Sequence, residues 1–106
     1  MVLVARRKEV LEEVVRSITT TGGRAVARAV DITNREEVEA LGRWVREEVG
    51  LPTILVNNAG AGDSGDFASQ PAEVWEPWIG LNITAGLYCI RSTNLSRLLK
   101  VQIWLC

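Results

Sequence analysis

The 106-residue sequence contains no histidine at all. Histidine is the commonest general base near neutral pH, so its absence excludes a Ser-His-Asp or Cys-His nucleophile system within this chain. Cysteine is nearly as scarce. Cys89 and Cys106 are the only two, and they lack metal-ligand spacing, so neither a zinc site nor a disulfide framework is expected and a reducing compartment is the default. No apolar run approaches the roughly 20 residues of a membrane span. No secretory leader is expected either, because "MVLVA" is short for an apolar h-region and "RRKE" follows it rather than precedes it. A cytoplasmic location is the resulting expectation. Charge of one sign is also missing. Twelve basic and 13 acidic residues give a formal net charge of −1, and they are mixed along the chain apart from Arg6, Arg7 and Lys8. Neither a nucleic-acid surface nor a membrane surface is expected from that balance.

The residues that are present have the composition of a globular protein. Apolar residues make up 47% and charged residues 24%, and the length allows one small domain at most. "VLVA", Val2 to Ala5, reads as a short buried strand. Val10, Leu11, Val14, Val15 and Ile18 then recur at helical spacing, and Gly22 and Gly23 stand at the C-terminal cap. "AVARAV", Ala25 to Val30, predicts a second strand that ends at Asp31. Thr33 with Glu36 three residues later is a capping-box signature. The helix behind it carries Val38, Leu41, Val45 and Val49 on one stripe, with Gly50 and Pro52 to stop it. Thr53 to Asn57 predicts a third strand. A loop rich in Gly, Asp and Ser, Ala61 to Gln70, precedes another helical region that begins near Pro71.

Strand, helix, strand, helix, strand at this rhythm predicts βαβ units and a parallel sheet. Ligands of such sheets bind outside the carboxyl ends of the strands. Three such ends follow from the pattern: Arg6 and Arg7, then Asp31 and Ile32, then Asn57 to Gly60. An apolar strand that runs straight into two asparagines, an alanine and a glycine is therefore expected to end in a site rather than in an ordinary turn.

"DITNREEVEALGRWVREEVGLPTILVNNAG" followed by "W...LNITAG" resembles the short-chain dehydrogenase/reductase family. The resemblance covers the chain up to about Arg91, while the tail from residue 92 to residue 106 fits poorly. It implies a partial doubly wound parallel α/β sheet of the Rossmann-like kind over residues 1–106, and a nicotinamide dinucleotide as cofactor. It implies hydride transfer to or from a small-molecule alcohol or carbonyl substrate, in a homo-oligomer and without a metal.

Carried over by resemblance, Asp31 accepts from the adenine amino group and Ile32 presents its backbone amide to the same ring. Asn57 bonds neighbouring backbone and stabilises the sheet. The motif continues with Asn58. Ala59 and Gly60 let the backbone lie close to the adenosine ribose. Asn82 is similar to the family's active-site asparagine, which helps hold a water in the proton path.

Ala5 stands where an NAD-type acid would lie, and Arg6 and Arg7 follow it. Arginine accommodates a 2′-phosphate, so NADP is expected over NAD. Plainer readings stand beside these. Asp31 is a good helix N-cap residue, and Arg6 and Arg7 also suit solvated charges at a strand end.

The sequence departs from the family pattern in several places. The glycine-rich turn would lie before Met1, and Tyr88, the only tyrosine, is followed four residues later by Ser92 rather than lysine. The chain is thus expected to be an internal fragment, a truncated product or a splice form, inactive alone. A non-catalytic module that pairs with a full-length relative is the alternative. Pro77 falls inside the helix before Asn82 and removes an intrahelical bond. "GAGDSG", Gly60 to Gly65, matches G-x-G-x-x-G letter for letter, but no helix pattern opens at Gly65, and Asp63 and Asp66 would repel a pyrophosphate. The sequons at Asn82 and Asn94 are set aside for want of a secretory signal. Trp44, Trp75 and Trp78 read as packing aromatics, and Cys89 as a buried small hydrophobe.

Overall fold

The computed structural model describes residues 1–94. Residues 95–106, which include most of the tail expected to fit the family pattern poorly, lie outside the described residues. The chain forms two compact units, Met1–Asp31 and the part from Ile32 onward.

The first unit is a βαβ unit. Strand β1 (Val2–Ala5), helix α1 (Lys8–Thr20) and strand β2 (Val26–Ala29) follow in order. The strands pair in parallel, with Val2 opposite Val26 and Ala5 opposite Ala29. The ladder runs past both ends through Val26 N–H to the Met1 carbonyl and Val30 N–H to the Ala5 carbonyl, each 3.0 Å. Helix α1 packs on both strands. The stripe that covers the sheet is narrower than the periodicity predicts. Leu11 is buried and Val15 and Ile18 are half-buried, whereas Val10 and Val14 are exposed. The helix ends at the two glycines through a Schellman motif. Gly23 N–H bonds the Ile18 carbonyl at 2.9 Å and Gly22 N–H bonds the Thr19 carbonyl at 3.0 Å. Gly22 takes the left-handed conformation this requires, with φ of 83°.

In the second unit, helix α2 (Arg35–Trp44) widens into a π-helical turn at Val45–Val49. Its cap lies one residue later than the Thr33 signature predicts. Asn34 Oδ1 accepts from Glu36 N–H at 3.0 Å and Glu37 N–H at 3.3 Å, and its Nδ2 donates to Glu37 Oε1 at 3.2 Å. Asn34 and Glu37 thus hold the positions expected of Thr33 and Glu36, because Asn is an equally good cap. Gly50 ends the turn at φ of 115°, a conformation left almost entirely to glycine.

The expected third strand is not formed. Thr53 to Asn57 makes no ladder, and the sheet has the two strands β1 and β2. Ile54 and Val56 are exposed while Leu55 and Asn57 are half-buried. The segment keeps the alternation of a strand, but a strand is defined by a hydrogen-bonded neighbour, and this segment has none among the described residues.

After a 3-10 turn at Phe67–Ser69, helix α3 (Ala72–Ile79), a π-helical turn at Gly80–Thr84 and helix α4 (Ala85–Thr93) run on as one continuous helix. It carries Pro77 in its interior. Proline offers no N–H to the preceding turn, yet the helix continues and widens from Gly80. Trp75 packs on Phe67 with ring centroids 6.1 Å apart. Helix α2 packs on α4, with Val38 and Ala85 fully buried and Val45 and Cys89 nearly so. No helix among the described residues is long and apolar enough to cross a membrane.

Candidate functional site

In the first unit the parallel register carries both chain exits to one end of the sheet. Arg6 and Arg7 leave β1 after Ala5, and Val30 and Asp31 leave β2 after Ala29, the residue paired with Ala5. The structure therefore brings Arg6, Arg7 and Asp31 to the same carboxyl edge. Arg6 and Arg7 are exposed and Asp31 is half-buried. Arg7 occupies the N-cap position of α1 and makes no side-chain cap, as a guanidinium has no acceptor to offer the first-turn amides. Asp31 closes this unit. Ile32, half-buried, opens the next.

In the second unit, Asn82 is the third residue of the π-helical turn Gly80–Thr84. Single π-helical turns recur at functional sites. Its carboxamide clamps the backbone of Ala61. Nδ2 donates to the Ala61 carbonyl at 2.7 Å, and Oδ1 accepts the Ala61 N–H at 3.1 Å. A Cβ built on Gly60 would stand 2.8 Å from Asn82 Oδ1, so glycine at 60 is needed for this approach. One helical turn beyond Asn82, Gly86 lies under the Asn57 carboxamide, whose Nδ2 would be 3.6 Å from a Cβ there. Asn82 and Gly86 thus define the helix face on which Asn57 to Ala61 lies. Asn58, Ala59 and Gly60 are exposed on that loop.

The resemblance puts Asn82 at a water. The structure puts both ends of its carboxamide on Ala61. Sequence reading assigns no site role to Ala61 or Gly86. The one available signal was a glycine four residues after Asn82, which puts it on the same helix face.

Among the described residues three groups have displaced pKa values. The hydrogen bond from Arg35 to Glu39, 2.9 Å, lowers the Glu39 carboxyl and raises the Arg35 guanidinium, with their mutual charge attraction adding to both. Burial pushes the Cys89 thiol up. Among the described residues no cluster of three or more His, Cys, Asp or Glu side chains is placed to hold a metal ion.

Residues 1–100 match the family profile described as short chain dehydrogenase. The chain belongs to the short-chain dehydrogenase family. Among the family's members, an uncharacterized oxidoreductase of Staphylococcus saprophyticus is 35% identical over 99 residues, covering 92% of this chain and 42% of its own length. The fatty acyl-CoA reductase of Mycobacterium tuberculosis is 37% identical over 94 residues, covering 86% of this chain and 32% of its own.

Solved structures agree. The L-sorbose reductase of Gluconobacter frateurii, complexed with NADPH and L-sorbose, superposes with a TM-score of 0.78 at 35% identity, over 87% of this chain and 35% of that one. A metagenomic short-chain oxidoreductase in complex with NADP gives 0.82 at 32% identity, over 88% and 42%. The fold is thus a partial Rossmann-like domain, and the chain spans well under half the length of these short-chain dehydrogenases.

Proposed function

We propose that this chain is part of an NADP-dependent oxidoreductase acting on an alcohol or carbonyl compound, and that it supplies the edge that selects the 2′-phosphorylated cofactor. The observation that carries this reading is the juxtaposition of Arg6, Arg7 and Asp31 at one carboxyl edge of the β1–β2 sheet, with no acid at Ala5. The relatives solved with NADPH and with NADP support it.

The residues suit the group. Two exposed guanidiniums offer charge-assisted donors to a phosphate, and a carboxylate at the second strand end suits the adenine amino group, with the Ile32 amide beside it in the chain. When bound, the cofactor supplies the hydride chemistry and the protein supplies position. In the second unit, Asn58 to Gly60 present exposed backbone as the family's cofactor loop does. Asn82 holds that loop through Ala61, which makes it a positioning residue in this reading. Proton transfer would need the family's Tyr and Lys, and Tyr88 does not stand in that spacing, so the chain by itself is inactive in this reading.

The test grafts residues 1–91 into the L-sorbose reductase in place of its matching segment. The chimera is expected to prefer NADPH over NADH. A charge-assisted hydrogen bond is worth about 1.5–3 kcal/mol, so Arg6→Ala is expected to cost roughly ten- to a hundredfold in NADPH affinity and to leave NADH unchanged. Equal losses for the two cofactors would remove Arg6 from the reading. The chain alone is expected to give no NADPH oxidation with ketones or aldehydes.

A further inference from the structure

Helix α2 and its π-helical extension carry Arg35, Glu39, Arg43 and Arg46 at spacings of four, four and three, which places them on one stripe. Helix α4 presents Tyr88 and Arg91 to the same place. Together these side chains line a cavity of about 300 Å³ in the second unit. Among the described residues Glu39 is the only acid in the lining, although α2 and its extension also hold Glu36, Glu37, Glu47 and Glu48. The acids of this helix therefore mostly face elsewhere, while four arginines converge on the groove.

Two of the four are already engaged. Arg35 bonds Glu39 at 2.9 Å, and Arg46 Nη1 donates to the Ser92 carbonyl near the C-terminal end of α4, where a cation also suits the helix dipole. Those bonds fix the walls. Among the described residues Glu39 bonds Arg35 alone, and the charges of Arg91 and Arg43 add more weakly to holding its carboxyl low. The lining keeps a surplus of positive charge, and guanidinium forks are the donors that pair with phosphate oxygens. A volume near 300 Å³ is at the lower end for small-molecule sites, which suits a diphosphate group and is too small for a whole dinucleotide.

We propose that the α2–α4 groove binds the diphosphate group of a small molecule, with Arg43, Arg91 and the Tyr88 hydroxyl as its principal donors and Glu39 as the carboxylate that the ligand replaces. Glu39 already does in part what the ligand would do, so its charge weakens the site, and removing that charge strengthens it. The groove lies wholly within the second unit and owes nothing to the β1–β2 edge.

The experiment titrates inorganic pyrophosphate into the isotopically labelled chain and follows amide and side-chain resonances at constant ionic strength. Saturable shifts are expected at Arg43, Tyr88 and Arg91. Arg43→Ala and Arg91→Ala are each expected to weaken binding about tenfold or more, and Glu39→Gln to tighten it several-fold. Arg16→Ala, an exposed arginine of α1, controls for diffuse charge and is expected to change nothing. Absence of saturable binding overturns the proposal. So does an equal loss with Arg16→Ala, weaker binding by Glu39→Gln, or tighter binding of a hexaglutamate peptide than of pyrophosphate, which would assign the groove to an acidic protein partner.

Discussion

Gly42 on α2 and Ser92 on α4 approach so closely that a Cβ on Gly42 would stand 2.6 Å from the Ser92 carbonyl oxygen and 2.9 Å from its Cβ. The contact lies where the two helices pack, between Val38 and Val45, both buried. Alanine normally stabilises a helix interior by up to about 1 kcal/mol relative to glycine. Here the methyl group would meet backbone, which cannot rotate away, and overpacking of this kind costs about 1–3 kcal/mol. Gly42→Ala is therefore expected to lower the urea midpoint of the chain. A raised midpoint would mean that α2 and α4 are less closely packed.

Asn82→Ala removes both bonds to Ala61 and leaves that peptide's N–H and C=O without their partners. Ala61 is exposed, so water can take the place of the lost partner, and each bond is worth about 0.5–1.5 kcal/mol net. Hydrogen exchange at the Ala61 amide is expected to accelerate strongly, with little change in the β1–β2 ladder. Asn82→Asp is expected to be intermediate. A carboxylate still accepts the Ala61 N–H but faces the Ala61 carbonyl with no donor. Unchanged exchange at Ala61 in both variants would dissolve the clamp.

The Cys89 thiol is 8% exposed, and burial raises its pKa. The proton is thus held more tightly in the folded chain than in the unfolded one. This contribution to stability is present below the unfolded pKa and is lost as pH rises through the folded value. Alkylation needs the thiolate. In a Cys106→Ser background, Cys89 is expected to react slowly with iodoacetamide at pH 8 and rapidly once urea unfolds the chain. Equal rates in the two states would place the thiol in water.

What the sequence disclosed depends on how local each signal is. The helices were legible because Leu11, Val15 and Ile18, or Val38 and Val45, recur at the helical period, and because Gly22, Gly23 and Gly50 mark the ends. The cap of α2 was misplaced by one residue because Thr33 and Asn34 are adjacent and both suit the position. Thr53 to Asn57 has the alternation of a strand, yet the pattern says nothing of whether a neighbour is there to bond it. The need for glycine at 42 is not legible because it arises from another segment, the Ser92 backbone on α4. Asn82 was found by family likeness, but its bonding partner Ala61 lies 21 residues away and leaves no periodic trace.

In the proposed function the carboxyl edge of β1 and β2 recognises a 2′-phosphorylated adenosine. Adenosine 2′,5′-bisphosphate and adenosine 5′-monophosphate differ by that phosphate alone, and both can be titrated into the chain as it stands while amide shifts are followed. The bisphosphate is expected to shift Arg6, Arg7, Asp31 and Ile32 and to bind about tenfold tighter than the monophosphate, in line with one charge-assisted hydrogen bond. Arg6→Ala is expected to abolish the difference. Indistinguishable titrations of the two nucleotides, or shifts that leave Arg6 and Asp31 untouched, would contradict that reading.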